Sequence, residues 1–143
     1  MDREDLGALS ARITRRLIDA ERPLLAAHGL SMWAYIALSH LARRPVGTQL
    51  ALAQAINYDK TRLIGLLDEL ERDGLITRKP DPADRRARTV DLTAAGRRRH
   101  AAAQADVRAM EDEFLGDLSA TERDGLLHVL ARLDHLTAPS PRV

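Results

Sequence analysis

Arg85, Arg86 and Arg88 crowd into the stretch KPDPADRRAR at positions 79–88, where Asp81 and Asp84 are the only acidic neighbours. Guanidinium groups gathered on a short loop fit a polyanion. They bind phosphate through paired N–H donors and suit the narrow, electronegative minor groove of DNA. An aspartate two residues from Arg86 can hold its guanidinium in a two-pronged ion pair beforehand, which lowers the entropy lost on binding. The plainer account of the same residues is a charged loop that keeps the chain soluble. Upstream, Lys60, Thr61 and Arg62 follow Asp59 in what reads as the first turn of a helix. Cations are unfavourable there because the helix dipole is positive at that end. A docked phosphate would remove the cost, whereas a solvated helix end would simply bear it. Thr48 and Gln49, which open the preceding short helix, complete the candidate DNA-binding set.

Other chemistries find less support. The five histidines, His28, His40, His100, His128 and His135, show no paired metal spacing. His128 and His135 share a helix face but lie about 10 Å apart along its axis, too far to hold one metal ion by themselves. Cysteine is absent, which excludes disulfides, thiolate metal ligands and thiol redox switching. No serine nucleophile, carboxylate pair or phosphate-binding glycine loop stands in a credible context, so the chain does not read as an enzyme, and no cofactor or metal is expected. Trp33 and Tyr35 supply half of the aromatic residues. They read either as core packing or as walls of a ligand pocket, with His28 nearby as a further candidate.

The elements that must position these residues follow from periodicity. Leu6, Leu9, Ile13, Leu17, Ala20 and Leu24 form one apolar helical stripe between Asp2 and about Ala27, in which Pro23 predicts a kink or restart. Gly29 offers a helix stop, and Ser31 an N-cap flanked by Leu30 and Tyr35 at staple positions. The next helix, Met32 to about Arg43, is apolar nearly all round and reads as central, with Arg43, Arg44 and Pro45 ending it. Thr48 caps a short helix through Ile56, Asn57 and Tyr58 make a turn, and Asp59 caps a longer helix to Asp73, where Leu63, Leu66, Leu67 and Leu70 face inward. A short helix, a tight turn and a longer helix make a helix-turn-helix pattern. After Gly74 the period changes to that of two short strands, 75–78 and 89–92, joined by the arginine-rich loop. Pro80 and Pro82 mark that loop as a turn. Thr93 caps a helix to about Leu115, Gly116 interrupts, and Ser119 with Glu122 forms a capping box for a last helix to about Leu136. Residues 137–143 read as a frayed tail.

Charge is distributed unevenly along this framework. The net charge is only +1, yet residues 76–100 carry eight basic against three acidic side chains, and residues 101–143 carry four against eight. Hydrophobic residues make up 45% and charged residues 30%, a globular balance with an aliphatic core, since aromatics are 3%. The N-terminal stretch lacks a signal-peptide pattern, and no apolar run approaches the ~18 residues of a membrane span. A cytoplasmic protein without membrane contact is expected.

The stretch from Leu50 to Arg97 resembles the MarR (multiple antibiotic resistance regulator) family of winged helix-turn-helix transcription factors. The resemblance rests on Leu52-Ala53, on LERDGLI (70–76), and above all on Asp84-x-Arg86-x-x-x-Val90-x-Leu92-Thr93 followed by Ala95-Gly96. The flanking helices agree in number and order, so it covers almost the whole chain. It implies a mainly α fold with a small β-hairpin wing. A single domain over 1–143 would have a winged-helix core at about 31–93, with dimerisation helices at about 2–27 and 94–136. It also implies a homodimer on a pseudo-palindromic double-stranded operator, with the second helix of the motif in the major groove. Arg86 would enter the minor groove, oriented by Asp84. Many family members release DNA when a small aromatic or phenolic compound binds, which supports Trp33 and Tyr35 as pocket residues. The expected activity is that of a ligand-responsive transcriptional regulator, by resemblance a repressor. The alternatives are a winged-helix protein-interaction module without DNA binding and a metal-responsive regulator.

Overall fold

The computed structural model describes residues 2–44 and 47–137. The helix stop at Pro45 and the tail at 138–143 lie outside them. The chain divides into two compact units, 1–108 and 109–143.

The first unit opens with α1 (Leu6–Ala27), which runs unbroken through Pro23. The expected kink is therefore not a break in the helix. Proline removes one N–H donor, but Leu25, two residues on, is 1% exposed, and burial of that side chain holds the last turn in place. Gly29, at φ +70°, then reverses the chain, and the Leu30 N–H returns to the Leu25 carbonyl at 2.9 Å. Ser31 caps α2 (Met32–Arg43) by accepting the Ala34 N–H at 3.1 Å. Ala34, Tyr35, Ala37, Leu38 and Leu41 of α2 are buried, as the central reading of this helix requires.

Two residues, β1 (Gly47–Thr48), lead into α3 (Gln49–Ala55), capped by Thr48. A turn with Asn57 at φ +51° connects it to α4 (Lys60–Arg72). Asp59 caps α4 by accepting the Arg62 N–H at 2.9 Å. Leu63, Leu67 and Leu70 are buried, whereas Leu66 is only half-buried. The hairpin of β2 (Ile76–Pro80) and β3 (Arg88–Leu92) follows. Its ladder extends from Ile76↔Leu92 to Pro80↔Arg88, further toward the tip than the sequence suggests. Pro80 is thus the last residue of a strand and not part of the turn. The sheet order β1-β3-β2 makes β2 an edge strand, where proline is tolerated. β1 pairs with β3 through Gly47↔Val90 and Thr48↔Thr89, so the sheet ties the start of α3 to the hairpin.

Thr93 joins the hairpin to α5 (Ala94–Phe114), within which the division between the units falls. Its hydroxyl donates to the Gly74 carbonyl at 2.6 Å and accepts the Gly96 N–H at 3.0 Å, while its backbone N–H donates to the Leu75 carbonyl at 3.1 Å.

In the second unit the capping box is reciprocal. The Glu122 N–H reaches Ser119 Oγ at 3.1 Å, and the Ser119 N–H reaches Glu122 Oε2 at 2.8 Å, which starts α6 (Ala120–Thr137). Leu126, Leu127, Val129 and Leu130 of α6 are all exposed.

Candidate nucleic-acid interface

The start of α3, the start of α4 and the hairpin tip surround one groove of about 270 Å³. Thr48, Gln49, Lys60, Asp84, Arg86 and Arg88 line it, six candidates drawn from three separate stretches of sequence. Thr61, Arg62 and Arg85 are exposed but are not among its lining residues. Leu50, Leu63, Ile64 and Ala87 complete its walls, and of these Leu50 and Ile64 are exposed residues that do not stand out in the sequence.

The hairpin tip is shaped by its two aspartates acting on the backbone. Asp81 Oδ1 accepts the Ala83 N–H at 2.9 Å, and Asp84 Oδ1 accepts the Arg86 N–H at 3.0 Å. The Ala87 N–H closes the turn on the Asp84 carbonyl at 3.0 Å. These are Asx turns, in which a short side chain stands in for a backbone acceptor. The expected fork between the Asp84 carboxylate and the Arg86 guanidinium does not form. Asp84 Oδ1 bonds the Arg86 main chain two residues on, which presents Arg86 by shaping the loop and leaves its side chain exposed.

A residue that sequence reasoning missed fixes the groove. Arg78, on β2, has a side chain 6% exposed. Its Nη2 donates to Asp68 at 2.6 Å and to Glu71 at 3.1 Å, both on α4, and its Nη1 donates to Gln49 Oε1 at 3.1 Å, on α3. One guanidinium therefore registers the wing strand against both helices of the motif. It holds the Glu71 carboxyl below its ordinary range, and the two carboxylates raise Arg78 further. Gln49, a candidate DNA contact, has its carbonyl oxygen turned to Arg78. The signal available in the sequence was weak, because Arg78 sits in a strand next to Lys79 and reads as one more basic wing residue.

The three ligand-pocket candidates do not converge. Trp33 stacks on Tyr58 of the α3–α4 turn, with ring centroids 4.2 Å apart and planes at 21°, and is 37% exposed. It is neither core nor beside Tyr35. Tyr35 instead stacks on His100 of α5 at 5.5 Å, and His28 Nε2 lies 2.6 Å from Asp106 Oδ2, also on α5. Tyr35 and His28 thus face the same helix and Trp33 faces another element. Among the described residues no group of three metal-ligating side chains comes together.

His100 is buried, with its Nε2 2.9 Å from Ser39 Oγ. Burial, and then the nearby Arg108 and Arg43 charges, push its pKa below the ordinary 6.5. His40 shifts the same way, through burial and then Arg43 and Arg44. A histidine depressed in the folded state binds its proton more readily when unfolded. Its contribution to stability is therefore complete above pH 6.5 and is lost as pH falls below that value. Thermal melts of the parent should drop more steeply on acidification just below pH 6.5 than those of His100→Gln. Equal slopes would rule out this coupling.

An exposed basic hairpin beside a helix-turn-helix, registered by a three-stranded sheet, defines a winged-helix DNA-binding fold. The model of the MarR family matches residues 28–87. Solved structures of that family overlay nearly the whole chain. A MarR-family transcriptional regulator from Rhodococcus sp. RHA1 is 27% identical, with a TM-score of 0.82, over 95% of this chain and 94% of its own. The transcriptional repressor CouR bound to a 23-mer DNA duplex is 29% identical, with a TM-score of 0.80, over 90% of this chain and 92% of its own. CouR from Rhodococcus jostii RHA1 bound to p-coumaroyl-CoA is 28% identical, with a TM-score of 0.80, over 98% and 96%. The chain is therefore similar to MarR-family transcriptional regulators over nearly its whole length, and residues 28–87 match that family's model. Its fold is that of solved transcriptional regulators. Among the described residues no single helix is long and apolar enough to cross a membrane.

Proposed function

We propose that this chain is a homodimeric repressor that holds a pseudo-palindromic operator and lets go of it when a small aromatic effector binds. The observation that carries the reading is the shared groove, which sets Lys60 of the second motif helix and Arg86 of the wing on one surface. In this reading α4 enters the major groove, with Lys60, Thr61 and Arg62 in its first turn, while Arg86 reaches the adjacent minor groove. Arg85 and Arg88 add phosphate contacts.

Pairing of two copies is supported by apolar side chains left in solvent in each unit: Leu6, Leu9 and Ile13 on α1, and Leu126, Leu127 and Leu130 on α6. Contiguous apolar patches of this kind mark interfaces. The effector class is supported by CouR, similar over most of its length and solved with an aromatic acyl thioester. Tyr35 and His28, both turned toward α5, are the pocket residues that remain after Trp33 is set aside.

The test is a mobility shift with duplex from the gene's own upstream region, repeated with p-coumaroyl-CoA and with p-coumarate as probes, alongside light scattering of the free protein. The expected result is a mass of two chains, a discrete shifted complex abolished by excess specific duplex, and its release by an aromatic probe. A monomer that binds every duplex alike would sink the operator reading. A complex that neither probe releases would remove this effector class.

A further inference from the structure

Ile64 and Leu50 are 42% and 47% exposed, and both line the groove that Lys60, Arg86 and Arg88 make cationic. Single exposed apolar residues need no explanation. Two on facing helices of one basic groove are a different matter, because the groove's ligand must then be anionic and offer something apolar at the same place. The buried stripe of α4 runs through Leu63, Leu67 and Leu70, and Ile64 lies outside it with 42% of its surface open to solvent. It lies one helical turn beyond Lys60, which puts the two on one face of α4 about 6 Å apart along the axis.

The edges of the bases in the major groove offer donors, acceptors and one apolar group, the C5-methyl of thymine. We propose that Ile64 and Leu50 form a thymine-methyl reader, so that each half-site carries thymine one or two base pairs from the contact made by Lys60. This rests on the proposed entry of α4 into the major groove and deepens it. Sequence specificity would then come in part from apolar contact, and not only from the polar first turn of α4.

The experiment has two stages. Duplexes are first enriched from a random pool with the full-length protein. Each thymine of the enriched site is then replaced singly by deoxyuridine, which removes only the methyl group. At one or two positions per half-site the change should weaken binding about fourfold, the worth of one buried methyl-sized group. Ile64→Ala should bind the thymine duplex more weakly and lose that penalty, whereas Ile64→Val should retain most of it. Ile64 is close to half exposed, so Ile64→Val should leave the melting temperature nearly unchanged and Ile64→Ala should lower it only modestly, with the protein folded at the assay temperature. The inference is overturned if no position responds to deoxyuridine, or if the penalty persists undiminished in Ile64→Ala and Leu50→Ala. It also fails if the enriched site holds no thymine near the Lys60 contact. Failure to enrich any duplex would overturn the operator reading as well, so the two failures are distinct.

Discussion

Gly96→Ala should cost about 3 kcal/mol or more of stability, a loss in the range reserved for backbone clashes in a packed core. For a chain of this size that is a fall of roughly 10 °C in melting temperature. A Cβ built on Gly96 would stand 2.1 Å from the Leu75 carbonyl oxygen and 3.2 Å from Leu92 Cδ2. The oxygen is main chain and has no rotamer to escape into. It is also held in place, because Leu75 O accepts the Thr93 N–H and Gly74 O accepts the Thr93 hydroxyl. Backing α5 away would loosen those bonds together with the cap on Gly96. Gly65→Ala is the matched control. It lies in α4 with nothing within 4 Å of an added Cβ, and the gain in helix propensity should stabilise by up to about 1 kcal/mol. Circular dichroism melts of the two variants should move in opposite directions. A Gly96→Ala protein that melts within a degree or two of the parent would mean that the close approach to Leu75 does not constrain the fold.

A second large effect is expected at the wing. Arg86→Ala should reduce operator affinity at least about tenfold and lower the slope of log affinity against log salt by about one per wing. The informative comparison is at Asp84. Because its Oδ1 accepts the Arg86 backbone N–H, Asp84→Asn keeps the acceptor and the turn while removing a negative charge from a DNA-facing loop. Binding should be equal to the parent or tighter. Asp84→Ala removes the acceptor, releases the turn and should weaken binding despite the same change in charge. Melting temperature should hardly move, since the loop is exposed. If Asn is as damaging as Ala, the carboxylate acts on a guanidinium after all. If Ala binds as well as the parent, the Asx turn has no role in presenting Arg86. Salt titrations by fluorescence anisotropy separate these outcomes.

Local signals carried most of the fold. Caps at Ser31, Thr48, Asp59, Thr93 and Ser119 each satisfy a helix start through a bond within three residues, which is why helix order and approximate ends could be read from side-chain type alone. The failures involve partners distant in sequence. β1 is two residues long and exists only because it pairs with β3 some forty positions later. Pro23 looked like a break because the burial of Leu25 is invisible in a local window. Arg78 needed three partners, one of them 29 positions away, before its role could differ from that of its basic neighbours. At the candidate site the charged residues were legible, because cations crowded on a loop are conspicuous. Ile64 and Leu50 were not, since an exposed aliphatic residue on an amphipathic helix resembles a core residue slightly out of phase.

Trp33 is the sole tryptophan of the chain, and it stacks on Tyr58, the residue immediately before the cap of α4. Excitation at the red edge of the protein's absorbance therefore addresses a single chromophore, placed beside the turn that feeds the second helix of the motif. Any movement of that turn changes the stacking partner of the emitting ring. The molecule carries its own optical gauge of the α3–α4 junction, readable without dye or label during a titration with DNA or with an effector.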